Sequence, residues 1–403
     1  MLTAAAAAAR RWSAATCLSS SSSSASSSSL PSRASSLARP SISMSALYAT
    51  TASSRPAPRP PLLLSPAALH KALAQASAAS KASAIVTLDA TWFMPNLNPP
   101  RDARAEFERG PRIPHARFWD VDEVADKSVI EDLGSALPHM MPDGQTFASA
   151  AEQAGIEPDT HVVVYQDTHG IFSAPRTAFT FLAFGHQRVS VLDGGLPGWI
   201  ASEFQVEEGA PKADVKHTTY PVPKLLPNRI RSYREMLANA SLGPSRAQAV
   251  LDARPQPRFD GTAPEPRPGL SSGHIPASYS LPFSSLLDTK PAATEQGKTY
   301  TVLKSQTELW RVISEALADR QSAWGSGAGG SAAEGGNSAV DRLRQEGSGS
   351  GQVAVTATCG SGMTAATIWL ALQQLGIESA IYDESWTGWA SRKDSPIEKK
   401  KET

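Results

Sequence analysis

Val353-Ala354-Val355-Thr356-Ala357-Thr358-Cys359-Gly360-Ser361-Gly362-Met363-Thr364-Ala365-Ala366 starts as a short β-branched run and reaches a thiol. Small residues follow, and then an apolar-periodic stretch begins. The order reads as strand, tight loop and helix N-terminus, with sulfur at the focus of the turn. Backbone N–H groups of such a loop converge on the sulfur, and the positive end of the helix dipole favours its anionic form. The only other cysteine, Cys17, lies in a leader expected to be removed. One remaining thiol leaves no intramolecular disulfide and no cysteine-based metal site. Buried small-hydrophobe cysteines are common, but glycines on both sides of Ser361 and the strand-to-helix position favour a reactive thiolate.

The same pattern occurs earlier in the chain. Ile85-Val86-Thr87-Leu88-Asp89-Ala90 recurs as Ala249-Val250-Leu251-Asp252-Ala253. Val162 to Asp167, with a helix to Gly185, matches Val353 to Cys359, with a helix to Gly376. Asp193-Gly194-Gly195-Leu196-Pro197-Gly198-Trp199 matches Asp383-Glu384-Ser385-Trp386-Thr387-Gly388-Trp389. Order and spacing are kept across all three matches, so the chain contains a duplicated unit. Each copy alternates β-branched runs with helical patterns. In Thr307 to Arg320, for instance, Leu309, Val312, Ile313, Ala316 and Leu317 share one face. This predicts two α/β domains, each with a mainly parallel sheet flanked by helices. The duplication is chemically asymmetric. Asp167 is expected where the second copy has Cys359, which makes one copy catalytic and the other structural.

Composition sets the limits. Of 403 residues, 38 are basic and 38 acidic, so no global field points to nucleic acid or to an anionic membrane. No apolar stretch approaches the roughly 18 residues needed to span a bilayer. Asp89 is the first acidic residue, and it is preceded by Arg10, Arg11, Arg33, Arg39, Arg55 and Arg59 and by a serine run from Ser19 to Ser29 broken only by Ala25. A basic, serine-rich, acid-free leader has the composition of an organellar transit peptide. A mitochondrial destination is expected, with a plastid left open, and Met44 offers a start for a shorter cytoplasmic form. The expected organisation is a disordered leader over 1–60, a non-catalytic domain over 61–206, a proline-rich linker over 207–228 and a catalytic domain over 229–398. Residues 325–351, rich in glycine, serine and alanine, read as a solvated insertion tolerated on loop-entropy grounds.

Two reaction classes other than sulfur transfer use a cysteine before a helix, and both fit poorly. Cysteine phosphatases need an arginine six positions after the thiol to clamp phosphate, and that position is Ala365. A cysteine protease needs a histidine base with an orienting group. His274 is present, but no local protease signature accompanies it. Sulfur transfer through a persulfide remains. The loop Cys359-Gly360-Ser361-Gly362-Met363-Thr364-Ala365 resembles the active loop of tandem-domain sulfurtransferases of the rhodanese superfamily, in their 3-mercaptopyruvate sulfurtransferase branch. Gly273-His274-Ile275-Pro276, Ser173-Ala174-Pro175-Arg176 and Tyr382-Asp383-Glu384-Ser385-Trp386 support the resemblance, which spans about Leu62 to Glu398.

The resemblance implies two tandem rhodanese-like domains, with Cys359 and Ser361 as catalytic residues. It implies substrate binding by Arg258, Arg267, Gly360, Gly362, Met363 and Thr364, no metal and no cofactor. Arg254 is expected in an internal ion pair, and His274 in packing rather than as a base. The implied donor is 3-mercaptopyruvate, because thiosulfate enzymes carry Arg-Lys-Gly after the cysteine and this loop is uncharged. The implied acceptor is a thiol such as thioredoxin or glutathione, or cyanide. The alternatives are a thiosulfate:cyanide sulfurtransferase and a relay that hands persulfide to a partner protein, as in tRNA thiolation. The chain departs from the family in the first domain, where Arg112-Ile113-Pro114-His115 stands in place of a histidine-led motif. Activation of Ser361 by that histidine is therefore not carried over to this chain.

Overall fold

A computed structural model describes residues 59–78, 84–168, 171–211, 215–292, 298–323, 338–347 and 353–400. The leader, with Cys17 and Met44, lies outside the described residues, except for its last two positions.

In the first half, β1 (Leu63–Leu64), α1 (Pro66–Ala78), β2 (Ile85–Asp89), α2 (Ala103–Arg109), β3 (Arg117–Phe118) and α3 (Val121–Val124) lead to α4 (Gly144–Gln153). Then come β4 (His161–Tyr165), α5 (Ser173–Ala183), β5 (Val189–Leu192) and α6 (Gly195–Ala201). The second half opens with β6 (Ile230–Arg231), α7 (Tyr233–Ala240), β7 (Ala249–Asp252), α8 (Gln256–Asp260) and β8 (Ser278–Ser280). An antiparallel hairpin, β9 (Leu287–Pro291) and β10 (Thr299–Leu303), precedes α9 (Gln306–Ala316), α10 (Ala318–Ala323) and α11 (Ala339–Gly347). The chain closes with β11 (Val355–Thr358), α12 (Ala365–Gln374), β12 (Ser379–Tyr382) and α13 (Ser385–Ser391).

Two five-stranded parallel sheets result, ordered β1-β5-β4-β2-β3 and β6-β12-β11-β7-β8. The orders superimpose strand for strand, as the internal repeat predicts. β4 and β11 occupy the same interior place and are buried along their whole length. Parallel strands covered on both faces read as near-continuous apolar runs, which is how both appear in the sequence. The α9 stripe forms as expected, with Leu309, Ile313 and Leu317 fully buried, and Ser305 with Glu308 closes a capping box at its start.

Register corrects one part of the repeat. Asp89 pairs with Tyr165, and Asp252 pairs with Thr358. Gln166, not Asp167, is therefore the counterpart of Cys359. The backbone agrees: Leu196 N donates to the Gln166 carbonyl as Trp386 N donates to that of Cys359. The two loops differ in length, and only cross-strand pairing reveals the one-residue offset.

The halves meet along α5 and α12, both buried almost throughout because each has a sheet on one side and the other half on the opposite side. Phe179 and Trp369 pack edge to face there, with centroids 5.3 Å apart. The polar contacts are reciprocal. Arg176 donates to the Gly362 carbonyl, and its counterpart Thr367 donates to the Ile171 carbonyl. Asp193 accepts from Leu303 N at 2.9 Å, and its counterpart Asp383 accepts from Met141 N at 2.6 Å. The proline-rich stretch between the halves is laid against the first one. Glu207 bridges Arg112, Tyr220 is buried against Phe147, and Leu226 N donates to the Ala183 carbonyl.

The solvated reading of residues 325–351 fails over 338–347. Ala339, Val340 and Leu343 of α11 are fully buried in the main core, and Arg344 clamps the Leu375 carbonyl at 2.7 Å and 3.0 Å. Three apolar residues spaced for one helix face suffice, and the glycine-rich flanks conceal them in the sequence. The rest of the insertion lies outside the described residues. Leu343→Ala should therefore lower the free energy of unfolding by about 2–5 kcal/mol, read from urea denaturation. A solvated segment would show almost no change.

Candidate active site

Cys359 sits one residue beyond β11, and its side chain is 1% exposed. The chain then turns through Gly360 to Thr364 into α12. Gly362 N–H donates to the sulfur at 3.1 Å. Two contacts on the opposite side hold the loop open. The Cys359 carbonyl accepts from Trp386 N at 2.9 Å, and the Gly360 carbonyl accepts from Thr387 N at 3.0 Å. With these carbonyls pinned outward on the start of α13, the Gly362 amide faces the sulfur, and α12 begins just beyond.

Gly362 is the position where the backbone geometry demands glycine. Its φ is +84°, and a Cβ would lie 2.8 Å from the Asp383 carbonyl oxygen. Of the other predicted loop residues, Ser361 is 7% exposed, the Met363 side chain packs into the core, and Thr364 is the N-cap of α12. All of them lie on one continuous turn around the sulfur.

The predicted arginines lie beside this turn. Arg267 Nη1 stands 3.0 Å from where a Gly360 Cβ would be, so its guanidinium covers the outer face of Gly360. Arg258 and Arg267 share the Glu265 carboxylate, and both side chains remain partly open to solvent. Arg254 takes the internal place expected of it. Its guanidinium pairs with Asp252 at 2.7 Å, donates to the Gly273 carbonyl at 2.6 Å and lies over the Trp386 ring. His274 is likewise a packing residue, stacked on Phe259 with Nδ1 2.9 Å from the Phe259 carbonyl oxygen.

Arg112 is the first-half counterpart of His274, since Arg112 bridges Glu207 as His274 bridges Glu398. It is 2% exposed, and its guanidinium donates to the Phe107 and Gly209 carbonyls. It anchors the chain leaving the first half and offers no base to Ser361. His115 is held by Glu207 on the surface.

Sequence reasoning assigned no role to Arg176, Asp383, Ser385 or Gln166. Arg176 reaches from α5 to Asp383 Oδ1 at 2.8 Å and to the Gly362 carbonyl at 3.3 Å. An arginine inside an otherwise apolar helix was the available signal, because a buried guanidinium requires a partner. The Ser385 hydroxyl accepts from Cys359 N at 3.2 Å, donates to the Tyr382 carbonyl at 2.8 Å and lies 3.9 Å from the sulfur. Gln166 occupies the corresponding place in the first half. Its Oε1 accepts from Phe172 N, Ala174 N and the Ser173 hydroxyl, so a neutral amide oxygen fills the cradle that surrounds sulfur in the other half.

The first half also lacks the Arg254 guanidinium, having Thr91 at that place. A cavity of about 140 Å³ opens there, lined in part by Asp89, Thr91, Glu106, Arg109, Pro111 and Asp167. Burial pushes the Asp89 carboxyl up to about 6, against the pull of its hydrogen bonds from Thr91. Among the described residues, no group of three or more histidines, cysteines or carboxylates is placed to hold a metal ion, and no helix is long and apolar enough to cross a membrane.

Comparison with known proteins agrees with this geometry. Residues 99–202 match the family model of the rhodanese-like domain. The chain is 34% identical over 307 residues to 3-mercaptopyruvate sulfurtransferase of Mus musculus, covering 76% of this chain and 84% of that protein. It is 33% identical over 330 residues to thiosulfate/3-mercaptopyruvate sulfurtransferase 1, mitochondrial, of Arabidopsis thaliana, with 77% and 73% covered. The crystal structure of Tum1 from Saccharomyces cerevisiae superposes with a TM-score of 0.64 at 28% identity, over 85% of this chain and 100% of that one. With one cradled thiol in a duplicated pair of parallel sheets, and with this extent of shared sequence, the chain belongs to the 3-mercaptopyruvate sulfurtransferase branch of the rhodanese superfamily.

Proposed function

We propose that this chain moves sulfur from 3-mercaptopyruvate through a persulfide on Cys359 to a thiol acceptor or cyanide. The observation that carries the reading is the uncharged cradle, with Gly362 N–H 3.1 Å from the sulfur and Arg267 beside Gly360. The Cys359 thiolate attacks the donor sulfur, and an S–S bond forms as the donor C–S bond breaks. The bonding pair leaves with the carbon as the enolate of pyruvate, which takes a proton from solvent. Arg258 and Arg267 hold the donor carboxylate by charge-assisted hydrogen bonds, and Ser361 donates to the carbonyl oxygen as it gains charge. Loop amides stabilise the persulfide until an acceptor thiolate, such as that of thioredoxin or glutathione, takes the outer sulfur and regenerates the Cys359 thiolate.

Thiosulfate is the second donor, a reading favoured by the two guanidiniums and by the name of the Arabidopsis relative. A mitochondrial site of action fits the basic, acid-free leader and the same relative.

Four outcomes test this reading. Treatment with donor in the absence of acceptor should add one sulfur, about 32 Da, to the Cys359 peptide by mass spectrometry. Cys359→Ser should abolish adduct and turnover together, since a neutral hydroxyl is a poor nucleophile toward sulfur. Arg258→Ala and Arg267→Ala should each raise KM for mercaptopyruvate by roughly tenfold or more, while alkylation of Cys359 by a small neutral reagent is unaffected. Gly360→Arg combined with Ser361→Lys should shift the ratio of kcat/KM values toward thiosulfate by about tenfold. An unchanged ratio would place donor choice elsewhere in the cleft.

A further inference from the structure

Glu265 lies between the two anchor arginines with its side chain fully buried. Oε1 is 3.0 Å from Arg267 Nη1 and 3.7 Å from Arg258 Nη1. Oε2 is 3.7 Å from Arg254 Nη1, and neither of those two atoms makes a hydrogen bond. A carboxylate is costly to bury unless cations hold it, and here three guanidiniums surround it. One of the three, Arg254, is already matched by Asp252. The solvent-open part of the cluster is therefore two guanidiniums against one carboxylate, with a single positive charge in excess.

We propose that Glu265 determines donor charge at this site: it cancels one of the two anchor charges and tunes the site to a monoanion over a dianion. The inference rests on Arg258 and Arg267 being the donor anchor. Mercaptopyruvate brings one carboxylate and matches the single excess charge. Thiosulfate brings two negative charges and leaves one unmatched in a partly desolvated cleft. Coulomb energy scales with the product of charges, so any change in the anchor's net charge acts about twice as strongly on a dianion. Cation crowding in the cluster is visible at Arg258, whose guanidinium is pulled down by burial, with Glu265 opposing and Arg254 and Arg267 adding to the effect. Glu265 touches no reacting atom. It acts through the guanidiniums, as a positioning and charge-setting residue.

The test is steady-state kinetics of the full chain with both donors at fixed ionic strength. Glu265→Gln should raise the thiosulfate-to-mercaptopyruvate ratio of kcat/KM by about tenfold or more, and added salt should diminish the shift. Glu265→Asp keeps the charge and should keep the wild-type ratio. Arg258→Gln removes a cation and should move the ratio the other way, so the inference stays testable if Glu265→Gln does not fold. A purely structural Glu265 would lower both donors alike and leave the ratio in place, which overturns the proposal. If Arg267→Ala leaves the mercaptopyruvate KM unchanged, the anchor reading itself fails. A raised KM there with an unmoved Glu265→Gln ratio removes only the charge-setting role.

Discussion

The Arg176 guanidinium lies in the seam between the halves, 2.8 Å from Asp383 Oδ1 and 3.3 Å from the Gly362 carbonyl oxygen, and it also donates to the His139 carbonyl. Asp383 Oδ2 in turn accepts from Met141 N, so the pair ties a first-half loop to the second half as well. Gly362 supplies the N–H that meets the sulfur, and Arg176 holds that same residue by its carbonyl. A residue of the first half thus holds the peptide next to the amide that meets the sulfur. Both charges are nearly buried, and losing either partner would leave the other uncompensated at a cost of about 3–5 kcal/mol. One contact thus contributes both to loop geometry and to the attachment of the two halves.

Duplication explains why such a contact is available. Two like units meet across α5 and α12, and each presents to the other the same backbone carbonyl, that of Ile171 or of Gly362. A threonine suffices at one of these sites and an arginine holds the other. The same divergence runs through both cradles. Gln166 fills one with its own amide oxygen, and Cys359 leaves the other to a sulfur that can change its charge and bonding. The first half keeps Asp89 where the second keeps Asp252, but without the arginine that neutralises it. It supplies Arg176 to the seam beside the Cys359 loop.

Much of this was legible in the chain. The strand-loop-helix around Cys359, the repeat, the parallel α/β class and the stripe of α9 depend on residues close in sequence, and hydrophobic period and turn chemistry report these directly. The internal pairing of Arg254 was expected beside the family resemblance, and its partner proved to be Asp252. The burial of Leu343 was not, because three apolar residues between glycine-rich flanks show no sustained period. Nor was the identity of the first-half plug, since a one-residue offset at the strand end is invisible without the partner strand.

The sequence by itself determined where the lone thiol of the strand-loop-helix lies, that its loop carries no charge and that two like units are present. These are properties of composition and local order. The tertiary structure decided which side chain occupies each cradle, which half holds the Gly362 carbonyl and how Arg258 and Arg267 share the Glu265 carboxylate. Those outcomes depend on strand register and on ion pairs between residues such as Arg176 and Asp383, far apart in sequence. Their energies arise only when folding removes both groups from water together.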